Sequence, residues 1–166
     1  MTASAHTHAP IRPTVGLGRW RAGVTTALTL AAVAGSSLLA SSPAEAATPM
    51  AIEGRALGIA ASKHGDPYRY GAKGPNAFDC SGLVYYSFKR AGKSMPRTAQ
   101  EQYNSVQHIS RRSLRPGDLV FFHEGGHVYH VGIYAGNDRV WHAPYPGEGV
   151  KLERIWTSAV WFGRIR

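Results

Sequence analysis

Apolar residues between positions 50 and 92 recur at intervals of three and four, which is the spacing of amphipathic helices. The first run begins at Met50 and ends at Gly65, a residue type common at helix ends. The second run begins at Cys80 and ends at Gly92. Its apolar stripe consists of Leu83, Val84, Phe88 and Ala91. The pattern therefore predicts two helices, joined by a loop that contains two prolines and two glycines.

A third, shorter helix is predicted at residues 98–106, where Thr98 and Glu101 form a capping-box pattern. From Leu119 onward the pattern changes to short runs rich in valine, isoleucine and aromatic residues, separated by turn-forming residues. These runs are LVFF, VYHVGIYAG, RVWHA, VKLERI and AVWFGRIR. Helices followed by consecutive strands predict an α+β domain, with N-terminal helices packed on an antiparallel sheet of about five to six strands.

Residues 1–46 have the pattern of an export signal. Three arginines precede an uncharged stretch of residues 22–44, and Ala44-Glu45-Ala46 offers a small-x-small cleavage site. We therefore predict a secretory signal peptide over residues 1–46, a mature domain over residues 47–166, and a secreted protein. An uncleaved membrane anchor is the alternative, because an uncharged stretch of this length can span a bilayer; its threonine, serine and glycine content favours the signal peptide.

The chain is strongly basic, with 19 Lys and Arg against 10 Asp and Glu and a formal net charge of +9. Removing residues 1–46 takes away three arginines and one glutamate, which leaves +7. A secreted domain with this charge concentrates at anionic surfaces such as nucleic acids or a phosphate-rich bacterial wall. One interpretation is therefore a non-catalytic basic protein that binds the wall or nucleic acid.

The segment HEGGH, residues 123–127, matches the H-E-x-x-H signature of zinc peptidases. That signature requires a helix, in which the two histidines lie one turn apart, whereas each glycine in a helix interior costs about 1 kcal/mol. The flanking runs are strand-like, so we predict a hairpin turn. His127 and His130, three residues apart in a strand, should face opposite sides. A zinc hydrolase that uses His123, His127 and His130 is kept as an alternative.

Cys80 is the only cysteine, so it has no partner for an internal disulfide bond. It lies at the start of a predicted helix, where the helix dipole favours an anion. Such a position, with a histidine nearby, can lower a thiol pKa from about 8.5 to between about 3.5 and 7.5. The predicted strands supply His130 and His142 as candidate bases. The structural alternative is a cysteine that simply packs in the core.

Six motifs occur in an order and spacing that resemble the NlpC family of papain-like peptidoglycan endopeptidases. They are PYRYG, FDCSGLVYYSF, MPRTAQEQ, LRPGDLVFF, HVGIYAG and VWHAP, and the resemblance extends over residues 52–166. It implies a papain-like NlpC fold and a peptidase that cleaves wall stem peptides, usually between γ-linked D-glutamate and a diamino acid. It implies no metal and no organic cofactor.

The same resemblance implies a role for each matching residue. Cys80 matches the nucleophile, His130 the base, and His142 the residue that orients this base. Tyr68 matches the tyrosine whose hydroxyl lies near the oxyanion, although Tyr70 is close enough in sequence to be an alternative.

Three further residues are candidates for substrate binding, and a helix cap, a turn and a surface charge are their ordinary alternatives. Asp79 and Ser81 match positions that hold the N-terminal end of the stem peptide, and Arg97 is a candidate partner of a substrate carboxylate. The expected partners are peptidoglycan stem peptides and the anionic wall surface. We expect a monomer and no nucleic-acid partner.

Overall fold

The computed structural model describes residues 48–166, so the predicted signal peptide lies outside the described residues. Three helices come first, and six strands follow them. The helices are α1 (Pro49–Ala61), α2 (Cys80–Ala91) and α3 (Ala99–Ser105). The strands are β1 (Gln107–Ile109), β2 (Leu119–Glu124), β3 (His127–Gly136), β4 (Arg139–His142), β5 (Lys151–Arg154) and β6 (Val160–Arg164).

The strands form one antiparallel sheet in the order β1-β6-β2-β3-β4-β5. The prediction of an α+β domain with helices on an antiparallel sheet is confirmed. Strand β1 was not predicted, because three residues are too few to show an alternating pattern. The first helix ends at Ala61 rather than at Gly65. Turns follow it because the N–H of Gly65 donates to the carbonyl of Val150 at 2.8 Å instead of continuing the helix.

The main core lies between the helices and one face of the sheet. Leu83, Val84 and Phe88 of α2 pack there with Phe121 and Val131 of the sheet. A smaller apolar cluster contains the alternate residues of β2. Its buried members are Val120, Phe122, Val140, Val160 and Phe162. Because β2 has buried residues on both sides, its sequence LVFF is continuously apolar instead of alternating. In the described part of the chain, no helix is both long and apolar enough to cross a bilayer.

The start of α2 is fixed to the loop of residues 66–79. Asp79 is the N-cap residue, and its Oδ1 accepts from the N–H of Gly82 at 2.7 Å. Gly82 is packed so closely against the loop that a Cβ there would lie 2.0 Å from the carbonyl oxygen of Ala72. A side chain at position 82 would therefore push the loop away from the first turn of α2.

We expect Gly82→Ala to lower the free energy of unfolding by about 1–3 kcal/mol, the usual cost of overpacking a close contact. The control is Gly58→Ala on the exposed face of α1, where an added Cβ meets nothing within 4 Å. That change should stabilise the protein by about 0.5–1 kcal/mol, because alanine loses less backbone entropy than glycine in a helix. Urea unfolding followed by circular dichroism measures both. Equal stability of Gly82→Ala and the wild type would contradict the packing argument.

Candidate active site

Cys80 is the first residue of α2 and lies where two clefts meet. Tyr68, Cys80 and Tyr129 line both clefts. The first cleft has a volume of about 680 Å³ and extends toward α3. The second has a volume of about 450 Å³ and extends toward β4 and β5. Together they form a groove on both sides of a partly buried thiol, which is the arrangement that an extended peptide chain requires.

Two histidines line the second cleft and contact each other. His130 Nε2 and His142 Nδ1 are 2.9 Å apart, and the two rings are perpendicular. Gly132 permits this approach of β4 to β3, because a Cβ there would lie 3.3 Å from the Cβ of His142. The predicted pairing of these two histidines through neighbouring strands is therefore present in the structure.

Both histidines are buried, and burial is the main cause of their altered basicity. It lowers the pKa of His130 to about 3, with a further contribution from His142. Burial also lowers the pKa of His142, although a hydrogen bond with Glu153 acts in the opposite direction. Both rings are therefore neutral at neutral pH, and one nitrogen of His130 is free to accept a proton.

The thiol does not have the lowered pKa that its helical position predicted. Burial raises the pKa of Cys80 above its usual range, and the Asp79 carboxylate adds to this effect by repelling a thiolate. Backbone hydrogen bonds from Val131 and Ser81 lower the pKa but do not compensate. The expectation of a lowered thiol pKa at the helix N-terminus is therefore wrong, because desolvation and the capping carboxylate outweigh the effect of the helix dipole.

Tyr68 is held beside Cys80 by the backbone. Its N–H donates to the carbonyl of Glu148 at 2.8 Å, and it forms a bridge with Phe78, two residues before the cysteine. Burial and the nearby Cys80 and Asp79 raise the pKa of its hydroxyl, which therefore remains a hydrogen-bond donor. Tyr70 is 88% exposed and lines only the first cleft, whereas Tyr68 lines both. Of the two tyrosines, Tyr68 has the better position to contact a group at the sulfur.

The three predicted substrate-binding residues form one cluster in the first cleft. The Arg97 guanidinium binds both Asp79 oxygens, with Nη1–Oδ1 at 3.0 Å and Nη2–Oδ2 at 2.5 Å. Nη1 also donates to the Ser81 hydroxyl at 3.0 Å. Arg97 therefore binds Asp79 through two parallel hydrogen bonds in the resting structure. A substrate carboxylate would have to share the guanidinium with Asp79 or displace Asp79 from it.

The HEGGH segment forms a hairpin, as predicted. Strand β2 ends at Glu124, strand β3 begins at His127, and both glycines between them have positive φ. His123 stacks on Trp161. His127 is exposed whereas His130 is buried, which agrees with opposite faces of the strand. Within residues 48–166 no group of three or more His, Cys, Asp or Glu side chains is arranged to hold a metal ion.

Two residues of the second cleft were missed from the sequence. Glu153 Oε2 is 3.0 Å from His142 Nε2, and Trp156 stacks on Phe122 with its ring 5.2 Å from that of His142. The sequence does show that residues 151 and 153 lie on the same face of a predicted strand, because side chains alternate between faces. Identifying Glu153 required the register of β5 against β4, which pairs Val140 with Glu153. The sequence does not specify this register.

The model of the NlpC/P60 family matches residues 65–163. The chain belongs to the NlpC/P60 family. Its helices and six-stranded sheet also match solved members of this family. With the P60 domain of an antigen from Mycobacterium avium subspecies paratuberculosis, the TM-score is 0.63 at 30% identity, covering 70% of this chain and 96% of that one. With the peptidoglycan hydrolase RipB from Mycobacterium tuberculosis, the TM-score is 0.63 at 28% identity, covering 70% and 66%.

Curated relatives include proteins named as endopeptidases. The probable endopeptidase p60 of Listeria monocytogenes is 46% identical over 111 residues, which are 63% of this chain and 22% of the relative. The bifunctional muramidase/DL-endopeptidase CwlT of Bacillus subtilis is 48% identical over 112 residues, 61% of this chain and 33% of the relative. The chain thus spans between about a fifth and a third of the length of these two relatives.

The raised thiol pKa predicts how Cys80 reacts as the pH changes. We expect its alkylation by iodoacetamide to be slow at pH 5–7 and to accelerate without a plateau past the ordinary thiol pKa of about 8.5, because only the thiolate reacts. Mass spectrometry of the alkylated protein measures the rate. The same reaction in denaturant is the control and should level off near the ordinary pKa. A plateau in the folded protein at acidic pH would indicate a thiolate–imidazolium pair and contradict the neutral resting site.

Proposed function

We propose that the chain is a cysteine endopeptidase that hydrolyses peptidoglycan stem peptides, at the bond between γ-linked D-glutamate and the diamino acid. The observation that carries the proposal is the position of Cys80 at a helix N-terminus between two clefts, one of which contains the His130–His142 pair. The names of CwlT as a DL-endopeptidase and of RipB as a peptidoglycan hydrolase support this substrate class.

In the first half of the reaction, the stem peptide occupies both clefts with the scissile carbonyl at Cys80. The sulfur adds to the carbonyl carbon while the thiol proton moves to His130, which is neutral and therefore able to accept it. The backbone N–H of Cys80 and the Tyr68 hydroxyl stabilise the oxyanion. A neutral thiol suits this route, because charge develops only as the proton is transferred.

In the second half, the tetrahedral intermediate collapses and the C–N bond breaks. The imidazolium of His130 donates its proton to the leaving amine, which departs as the N-terminus of the diamino acid. Water then adds to the thioester, and His130 accepts one of its protons. Collapse of this second intermediate releases the carboxyl product and restores the Cys80 thiol, with His142 orienting the ring of His130 throughout.

The first cleft is assigned to the part of the stem peptide that precedes the scissile bond. The Asp79 carboxylate and Ser81 hydroxyl are positioned to bind an N-terminal amine, since both lie on the cleft wall next to Cys80. Arg97, which lines the same cleft, is assigned to the free carboxylate of D-glutamate. In the resting state it forms an ion pair with Asp79, which compensates the charge of this buried carboxylate.

The second part of the proposal is export to the anionic wall, through cleavage of a signal peptide at residues 1–46. The basic cluster at Tyr85 and Tyr86 supports a wall-facing surface. Four cations lie within 5.7 Å of the centroids of these two rings, with Lys73 and Lys89 over Tyr85, and Lys63 and Arg90 over Tyr86. The proposed enzyme is a monomer.

Cys80→Ala should lower kcat/KM by at least about 10⁴-fold, because removal of a nucleophile leaves only binding and oxyanion stabilisation. The test uses synthetic stem peptides with a γ-D-glutamyl–diaminopimelate or γ-D-glutamyl–lysine bond, and mass spectrometry of the products. Circular dichroism should be unchanged, since the thiol is replaced by a smaller group at a partly exposed position.

Equal cleavage by Cys80→Ala and the wild type would contradict the mechanism. In that case inhibition by a chelator would favour a zinc hydrolase. Cleavage by neither protein, together with salt-sensitive wall binding, would favour the non-catalytic basic protein. Products cut at another bond would retain the nucleophile and correct the specificity.

The basic cluster at Tyr85 and Tyr86 leads to a prediction about binding to the cell wall. The double variant Lys73→Gln with Lys89→Gln should bind purified cell wall about 30-fold more weakly at low salt, because each of the two cations near an anionic surface contributes on the order of 1 kcal/mol. Its binding should also depend less steeply on salt concentration. A co-sedimentation assay measures both quantities. The charge-matched control, Arg112→Gln with Arg139→Gln, removes two exposed cations elsewhere. Equal loss in both variants would assign wall binding to net charge rather than to this cluster.

A further inference from the structure

The hydrogen-bond chain of the second cleft continues past His142 to a carboxylate. His130 Nε2 is 2.9 Å from His142 Nδ1, and His142 Nε2 is 3.0 Å from Glu153 Oε2. Glu153 lies on β5, an edge strand, and its side chain is 43% exposed. Lys151 Nζ lies 3.3 Å from the same oxygen. The site therefore contains an ordered series of four residues, from a base to a solvent-accessible cation.

This series determines which ring nitrogens carry protons. An ionised carboxylate only accepts hydrogen bonds, so His142 Nε2 must carry the proton that it shares with Glu153. A neutral imidazole has a single N–H, and His142 Nδ1 is therefore an acceptor. His130 Nε2 must then be the donor to it. The remaining nitrogen of His130, Nδ1, is left with a free lone pair.

We propose that Glu153 is a positioning residue that fixes the tautomers of both histidines, so that His130 presents an unprotonated Nδ1 to the thiol proton. The inference rests on the proposed function, which assigns the base role to His130. Glu153 does not exchange a proton with the thiol or the substrate in this scheme. It acts through His142.

The opposite arrangement of protons is disfavoured for a specific reason. With His142 protonated at Nδ1, its Nε2 lone pair would lie against a carboxylate oxygen at 3.0 Å, an arrangement with no proton between two acceptors. His130 would then carry its proton on Nδ1 and could not act as a base. In the proposed arrangement, Glu153 also stabilises the positive charge that develops on the histidine pair during proton transfer.

Lys151 places a positive charge beside the Glu153 carboxylate. Its Nζ contacts both Glu153 and Glu148, at 3.3 and 3.4 Å. Because Lys151 and Glu153 share one face of β5, the strand register places this cation beside the carboxylate and the carboxylate beside His142. A surface ion pair alone would explain the contact between Lys151 and Glu153, but it would not explain the bond to a buried ring nitrogen.

The test compares Glu153→Gln with Glu148→Gln. Glutamine retains the shape of glutamate, but its amide group also donates, so it permits the reversed tautomer. Glu148 is a matched control, since it contacts the same lysine at a similar exposure, 40% against 43%, without contacting a histidine. Long-range 1H–15N NMR spectra at pH 7 report the protonated nitrogen of each ring in the resting protein, and kcat and KM are measured on the stem peptide.

We expect the wild type and Glu148→Gln to carry the His130 proton on Nε2. In Glu153→Gln, both tautomers should be populated. Its kcat should fall by about 10- to 100-fold, the usual effect of losing an outer partner of a functional histidine, with KM changed by less than about twofold.

Three results would overturn the proposal. The first is a wild-type His130 protonated on Nδ1. The second is a Glu153→Gln protein with wild-type tautomers, and the third is a tautomer shift that leaves kcat unchanged. Failure of the wild type to cleave any stem peptide would count against the proposed function alone. The NMR comparison needs no substrate and decides the tautomer claim in that case.

Discussion

The Asp79 carboxylate joins the three segments that form the thiol side of the groove. It accepts from the N–H of Gly82 at 2.7 Å in the first turn of α2, and from the N–H of Gly71 at 2.8 Å in the preceding loop. It also binds the Arg97 guanidinium, which comes from the segment before α3. One side chain thus caps the helix, holds the loop and orients the arginine. The position of Cys80, the next residue, depends on all three contacts.

This arrangement has an electrostatic consequence for the nucleophile. A carboxylate one residue away opposes formation of a thiolate, and burial of Cys80 acts in the same direction. The helix N-terminus, which would favour an anion, already has Asp79 as its counter-charge. The cap that positions the sulfur therefore also keeps it protonated. Reactivity then depends on a neutral base that accepts the proton when a substrate carbonyl is present.

The histidine pair satisfies that requirement without burying an ion. Two neutral rings joined by one hydrogen bond avoid the desolvation cost that a resting thiolate–imidazolium pair would carry in this buried position. Glu153 and Lys151 supply charge from the exposed end of the series, where water reduces the cost of ionisation. The buried histidine pair is consequently neutral at rest, and the charged residues of this series are accessible to solvent.

How much of this was predictable depends on the range of the interactions. Helix α2 and the short helix after Thr98 are specified by residues within four positions of each other, and the sequence pattern identified both helices. The fold class followed from the same local patterns. The roles of Cys80, His130 and His142 came from family motifs, and the structure brings these residues to one groove. The thiol pKa was predicted wrongly because desolvation depends on what covers the sulfur, which local sequence does not reveal.

The two sides of the groove are therefore fixed by different kinds of interaction. The thiol side depends on the contacts that Gly71, Gly82 and Arg97 make with the Asp79 carboxylate. The base side depends on sheet register, because His130, His142 and Glu153 lie on three consecutive strands. A shift of β5 by one residue would turn Glu153 to the other face of the sheet and leave His142 without its acceptor.

Val131 connects the two sides, since its backbone hydrogen bond reaches Cys80 from the position next to His130. Helix α2, which begins at Cys80, packs against β3, which carries His130, so this packing holds the nucleophile and the base on neighbouring elements.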